Sequence, residues 1–459
     1  MDYQLASVAE RATRYLETLE SRKVAPTPEA LQQLSRLDEP FPENPTDAEA
    51  VISLLDEVGS PATVASAGPR FFGFVVGGSL PAALAANWLA GAWDQNAGLA
   101  VLSPIAAKLE EVAMRWLIDI LQLPAECGAG FVTCATQANF SGLAAARHAV
   151  LARQGWNVET QGLFGAPPIT VVVGEEVHVS VLKALTLLGM GRERVVSVPV
   201  DGQGRMRADS LPPLDSNTIV CIQAGNVNTG AVDPASEIIS QAKAAGAWVH
   251  VDGAFGLWAA ASPERAHLVK DMGNADSWAI DAHKWLNVPY DSGIVFVRDP
   301  QHLYAAMAVT AAYLVQGETR NPTNFTPDFS RRARGVEVWA ALRSLGREGL
   351  ADLVERTCGH AFRFAEGLRN AGYEVLNEVV LNQVLVSFGD DESTRRVIAG
   401  LQQDGTCWCG GTVWQGKTAM RISVSSWATT HEDVEQSLEA MIRIAAQVQD
   451  QLKLETGPK

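Results

Sequence analysis

The chain has little cysteine, no excess of basic residues and no unbroken apolar run of membrane-spanning length. Six cysteines (127, 134, 221, 358, 407 and 409) in 459 residues are too few and too scattered for a disulfide framework. Cys407-Trp408-Cys409 has a single spacer residue and no second Cys/His pair nearby, which argues against a zinc site, and no metal is expected. Lys and Arg number 36 against 52 Asp and Glu, a formal charge of −16. Neither nucleic acid nor an anionic membrane surface would attract such a chain. The most apolar long window, residues 75–93, is interrupted by Pro81, Asn87 and several glycines, and reads as packing or a buried interface instead of a membrane span. The opening MDYQLASVAERATRYLETLE is charged and helix-like, without the apolar core of a leader peptide. A reducing cytoplasm is the expected setting. Internal repeats and low-complexity tracts are also missing.

What is present is the profile of a globular protein with a sizeable core, 47% hydrophobic and 19% charged. The first 55 or so residues read as amphipathic helices broken by a proline-rich stretch at 26–45. From about residue 128, short apolar runs alternate with helical segments: 131–134, 169–173, 218–223, 248–251, 277–280 and 294–297. Strands alternating with helices predict an α/β fold with a mostly parallel sheet covered on both faces. A long helical stretch after Glu337 leads to a second α/β unit with apolar runs at 384–388 and 422–424 and a last helix from about His431. The expected division is an N-terminal helical segment (1–60), a large domain (61–335) and a small C-terminal domain (336–459). Ligands of open α/β sheets bind beyond the strand C-termini, where the chemistry-bearing residues fall.

The most specific local feature is Asp281-Ala282-His283-Lys284-Trp285, directly after the run at 277–280. Alone, Lys284 reads equally well as a surface charge. The second is Trp248-Val249-His250-Val251-Asp252-Gly253-Ala254-Phe255-Gly256, an apolar strand ending in a carboxylate followed by small residues. An isolated strand-end Asp is more often a turn former or helix cap. Together they match the demands of pyridoxal phosphate, which needs a lysine amine for its aldehyde and a carboxylate to keep the ring nitrogen protonated. Small Gly253 and Ala254 let a ring lie against the backbone. A third element, Gly130-Phe131-Val132-Thr133-Cys134-Ala135-Thr136-Gln137-Ala138-Asn139, passes from strand into helix, whose N-terminus suits a phosphate. A fourth, Glu176-Val177-His178-Val179-Ser180, sets a histidine between strand and helix.

In this order the sequence resembles the group II pyridoxal-dependent decarboxylases, the family of aromatic amino-acid, histidine and glutamate decarboxylases. The resemblance runs from about Pro69 to Ala440 and takes in Pro69-Arg70-Phe71-Phe72-Gly73-Phe74, Ser103-Pro104, Glu110-Glu111, Trp116-Leu117, Gly225 to Asp233, and Ser330-Arg331-Arg332-Ala333-Arg334 before Trp339. It implies the aspartate-aminotransferase-like fold (fold type I), pyridoxal 5'-phosphate as cofactor, and a homodimer with the active site at its interface. Carried onto matching positions, Lys284 would bind the cofactor aldehyde, Asp252 would meet the pyridine nitrogen and His178 would stack on the ring. Ala254 would support the opposite face. Ala135 and Thr136 would bind the phosphate, helped by Asp281 or His283, and Phe74 and Val75 would line the substrate pocket. Arg331, Arg332 and Arg334 would form hinge or interface ion pairs.

Three departures stand out. The usual two glycines and Glu of the phosphate turn read Cys134, Ala135 and Gln137, and the usual Gly-Thr-Thr reads Gly225-Asn226-Val227. The loop at 314–329, where relatives often carry a proton-donating tyrosine, has none; Phe325 and Phe329 are its aromatics and Tyr313 lies at its edge. The expected reaction is α-decarboxylation of an L-amino acid, with Lys284, His178 and Asp252 as catalytic residues and Phe71, Phe72 and Phe74 suggesting an apolar or aromatic side-chain pocket. The missing tyrosine keeps open an aldehyde-forming oxidative decarboxylation or a C–C lyase reaction. A non-catalytic cofactor-binding protein is the remaining alternative.

Overall fold

In a computed structural model, which describes residues 4–309 and 320–456, the chain forms two compact units. One comprises Met1–Gly78, Arg363–Leu376 and Leu385–Lys459, the other Ser79–Phe362 and Asn377–Val384. The first begins with helix α1 (Leu5–Glu17). Arg11 ties α1 to the next segment through Glu49 at 2.9 Å and Asp56 at 3.0 Å.

The second unit opens with α2 (Pro81–Trp93) and α3 (Pro104–Ile120), each started by a proline whose missing N–H costs nothing in a first turn. Its sheet has seven strands: β1 (Gly128–Val132), β2 (Thr170–Gly174), β3 (Val196–Val198), β4 (Thr218–Gln223), β5 (Trp248–Asp252), β6 (Ser277–Asp281) and β7 (Gly293–Val297). The order is β1-β7-β6-β5-β4-β2-β3, parallel from β3 through β6, with β7 antiparallel to both its neighbours. Helices α4 (Ala135–Ala152), α5 (Val179–Leu187) and α6 (Ala235–Ala244) follow β1, β2 and β4. Buried on both faces, the strands need apolar residues throughout, which is why they read as continuous runs such as Thr-Ile-Val-Cys-Ile-Gln.

Helix α4 crosses β5, β6 and β7. Strand side chains alternate between faces, so Trp248, His250 and Asp252 of β5 share one face and Val249 and Val251 the other. Gly142 on α4 makes the crossing possible. A Cβ there would lie 2.8 Å from His250 Cε1 and 3.0 Å from its Nδ1.

The helical stretch α7 (Gly335–Asn370) is two helices joined at Gly346, whose φ of 62° breaks the ladder, and it carries the chain from the second unit back into the first. There a four-stranded sheet, β10-β11-β9-β8, is formed by β8 (Glu374–Val375), β9 (Gln383–Ser387), β10 (Gly410–Trp414) and β11 (Lys417–Ser423), with α8 (Asp391–Asp404) and α9 (His431–Thr456). The 71–74 segment belongs to this unit. Phe72 N–H donates to Trp408 O at 2.8 Å, and Phe71 stacks on the Trp408 ring at 5.0 Å. A Cβ at Gly73 would lie 2.3 Å from that ring. Among the described residues no helix is long and apolar enough to cross a membrane.

Gly142→Ala tests the α4 crossing. Alanine raises helix propensity by about 1 kcal/mol, yet the overpacking against His250 is expected to outweigh that gain, with a net loss of about 1–2 kcal/mol in urea unfolding.

Candidate active site

The site residues of the second unit gather at the C-terminal ends of β5 and β6. These strands are neighbours in parallel register, with Asp252 opposite Ala279. Asp252 therefore ends one strand while its neighbour runs on through Asp281 to Lys284.

Asp252 is 5% exposed. Its Oδ2 accepts from Asn139 Nδ2 at 3.1 Å and from the Ser180 hydroxyl at 3.3 Å, and its Oδ1 from the Ala254 N–H at 3.2 Å. A carboxylate offers about four acceptor positions. Three are filled by this chain, and one is left open. Ala254 is half-buried beside buried neighbours. Gly253 has another role than giving room to a ring: a Cβ there would meet Leu257 Cβ at 2.7 Å, so the glycine lets the following turn pack.

Lys284 Nζ rests 3.1 Å from Asp281 Oδ2. Asp281 Oδ1 accepts from the Ala135 N–H at the start of α4 and lies 3.6 Å from His283 Nε2. The Ser292 N–H donates to His283 Nδ1 at 3.0 Å, which places the proton of a neutral ring on Nε2. Burial pushes the His283 pKa down, against the opposing pull of Asp281. It faces the site as a neutral N–H donor, its ring stacked on Tyr290 at 4.3 Å.

The phosphate turn explains its own unusual residues. Cys134 stands at the N-cap without a side-chain cap bond. Gln137 Oε1 accepts from the Thr133 N–H at 2.9 Å while its Nε2 donates to Asp328 Oδ2 at 3.1 Å. A glutamate could accept the first bond but would repel Asp328. The Thr136 and Gln137 amides, in the first turn, have no intrahelical acceptor, and the half-buried Thr136 hydroxyl lies beside them. At the second departure, Asn226 Oδ1 accepts from the Asn228 and Thr229 N–H groups at 2.9 and 3.2 Å, so the replacement organises its own turn.

His178 caps α5. Its Nδ1 accepts from the Ser180 N–H at 3.2 Å and meets the Ser180 hydroxyl at 2.7 Å, and that hydroxyl joins it to Asp252.

Sequence reasoning missed the layer behind Asp252. Asn139 Nδ2 also donates to Ser180 Oγ at 3.1 Å, and Asn139 Oδ1 accepts from His250 Nε2 at 2.9 Å. His250 Nδ1 meets Ser277 Oγ at 2.8 Å, which accepts from Trp248 Nε1 at 3.0 Å. The period-two spacing of Trp248, His250 and Asp252 was a signal for this layer, as was Asn139 one helical turn beyond Ala135.

Phe74 and Val75 belong to the first unit. They adopt left-handed backbone conformations, φ 55° and 60°, with Phe74 exposed and Val75 buried. Tyr313 and residues 314–319 lie outside the described residues. Arg331 is buried on Glu110 at 2.6 Å, Arg334 pairs with Asp291 at 2.8 Å and Arg332 with Glu337, all three within the second unit.

An amine on one strand tip, a carboxylate with one open acceptor position on the next, and free amides at a helix start are the donor set that pyridoxal phosphate requires. With the strand order, they define the class of fold type I pyridoxal-phosphate enzymes. Within that class the chain belongs to the pyridoxal-dependent decarboxylase family, whose conserved domain matches residues 28–389. It is a pyridoxal-phosphate-dependent amino-acid carboxy-lyase. It is 27% identical to tryptophan decarboxylase 1 of Oryza sativa subsp. japonica, over 90% of this chain and 87% of that protein. It is also 27% identical to 4-hydroxyphenylacetaldehyde synthase of Rhodiola rosea, over 78% of this chain and 75% of that protein. A crystal structure of Oryza sativa TDC with PLP and tryptamine shares the fold, with TM-score 0.88, 24% identity and 96% and 97% of the two chains covered.

Burial pushes the His250 pKa down to about 4, with Asp252 opposing. Between about pH 6.5, its unfolded value, and pH 4, the unfolded chain binds a proton that the folded chain refuses, so this group costs stability as pH falls. His250→Gln removes that term. Its urea midpoint is expected to fall less than the parent's from pH 7 to pH 5 in the cofactor-free protein, and equal falls would contradict the linkage.

Proposed function

We propose that the enzyme decarboxylates an L-amino acid with an apolar or aromatic side chain, using Lys284, Asp252 and His178 as catalytic residues. The observation that carries this reading is the single open acceptor position on Asp252, on the strand beside the one that leads to Lys284. Pyridoxal phosphate, when bound, supplies the aldehyde that takes up the substrate amine and the cationic ring that receives the electrons of the Cα–carboxylate bond. Asp252 keeps the ring nitrogen protonated through its open oxygen. Lys284, held by Asp281 at 3.1 Å, would supply the amine that binds the cofactor aldehyde. His178 covers one ring face and meets the substrate carboxylate, and Ala254 supports the other face. The free Thr136 amide and hydroxyl at the start of α4, with the neutral His283 N–H, hold the phosphate in this reading; the Ala135 amide, expected to join them, is taken by Asp281, which orients Lys284. The similarity to a tryptophan decarboxylase supports the aromatic preference.

The tyrosine-free stretch at 314–329 favours a second reading, aldehyde formation, and the similarity to a 4-hydroxyphenylacetaldehyde synthase supports it. Incubating the enzyme and cofactor with the common amino acids, and measuring amine, aldehyde and carbon dioxide by mass spectrometry, separates the two. Amine with equimolar carbon dioxide is expected, and aldehyde as main product would replace the first reading with the second. Lys284→Ala should lower turnover by at least about 1000-fold and lose the visible absorption that the parent gains with the cofactor. Retained turnover would remove Lys284 from its role.

A homodimer in the cytoplasm completes the proposal. Trp88, Leu89 and Trp93 of α2 are 42–55% exposed, and Val101, Leu102 and Ile105 just beyond are 45–73% exposed. Apolar exposure concentrated in one stretch suits burial against a second copy, and six free thiols suit a reducing compartment. Sedimentation at micromolar concentration is expected to give twice the chain mass, and a monomer would contradict this.

A further inference from the structure

With a neutral His250 ring, the hydrogen bonds behind Asp252 have one consistent direction. A carboxylate only accepts, so the Asn139 amide nitrogen faces Asp252 and its oxygen faces His250; with the His250 ring kept neutral by burial, the remaining links follow. Trp248 Nε1 donates to Ser277 Oγ at 3.0 Å. The Ser277 hydroxyl then donates to His250 Nδ1 at 2.8 Å, and His250 Nε2 donates to Asn139 Oδ1 at 2.9 Å. The Asn139 amide is left with both its hydrogens directed at Ser180 Oγ and Asp252 Oδ2, each at 3.1 Å. Reversing any link would set two donors or two acceptors against each other in a place that water does not reach. Trp248, His250, Asn139 and Ser277 are each 2% exposed or less.

We infer that Asn139 and His250 are positioning residues, which through this one-way relay hold the Asp252 carboxylate aimed at the pyridine nitrogen. The inference rests on the proposed role of Asp252 and goes beyond it by assigning work to residues that touch neither cofactor nor substrate. Two further observations support it. Gly142 leaves the space on α4 that the His250 ring fills, which an apolar wall would not need. His250 also lies beside Ser277 in the β5–β6 register, so the sheet itself sets this link.

The test compares Asn139→Leu, His250→Leu and His250→Gln by equilibrium titration with pyridoxal phosphate, followed by visible absorbance, with folding checked by circular dichroism. Glutamine reaches the Nε2 position and keeps the donor to Asn139, whereas leucine fills space without it. The leucine variants are expected to bind the cofactor about 10- to 100-fold more weakly, the range for a lost hydrogen bond to a charged group, and His250→Gln is expected to recover most of the loss. If His250→Leu binds as well as His250→Gln, and Asn139→Leu as well as the parent, the relay is mere packing and the inference is overturned, with the role of Asp252 intact. If the parent itself fails to bind, the proposed role of Asp252 fails first. Should a leucine variant not fold, 15N-histidine spectra of the unaltered enzyme decide the matter, with His250→Gln used to assign the signal. A neutral Nε2–H tautomer is expected, and an Nδ1–H or charged ring overturns the relay.

Discussion

A buried carboxylate at the end of β5 is the constraint around which the larger unit is organised. An ionised group taken out of water costs roughly several kcal/mol unless hydrogen bonds replace its hydration. Asp252 recovers three such bonds, from α4, from the start of α5 and from its own turn. Each donor comes from a different piece of chain. The sheet, the helix that crosses it and the cap of the next helix must therefore all be in place before the acid is stable in its position. The fold does not merely carry this residue; its satisfaction couples three elements to one another.

The second carboxylate solves a different problem. Asp281 receives the first amide of α4 and holds the Lys284 amine, so one acid neutralises a helix terminus and orients a nucleophile. The two acids end adjacent strands but have separate partners: Asp252 is held by Asn139, Ser180 and the Ala254 amide, and Asp281 by the Ala135 amide and the Lys284 amine. His283, kept neutral by burial, adds a donor without adding charge beside Asp281.

Much of this was legible from the residues. Thr218–Gln223 was read in full from its apolar run, and most other strands of the large sheet within a residue or two, because parallel strands buried on both faces give continuous signals. Val196–Val198 escaped because it is short and mostly exposed, and Gly410–Trp414 because its half-exposed residues give no apolar run. At the site, the residues proposed to hold the cofactor stand in local motifs. Asn139, Ser180 and Ser277 could not be read in that way, since their meaning arises only when α4 is laid across β5 and β6. The purpose of Gly253 was likewise hidden, because its constraint is the Leu257 side chain packed against it.

The single hydrogen of Gly142 has one more consequence. Because that helix position and His250 share one volume, neither can change alone without leaving a void or a clash. The two sites therefore form a co-varying pair: among descendants of this chain, a side chain at 142 belongs with a smaller residue at 250. A lineage that made that exchange would also have surrendered the imidazole, and Asn139 would lose the N–H that its oxygen accepts.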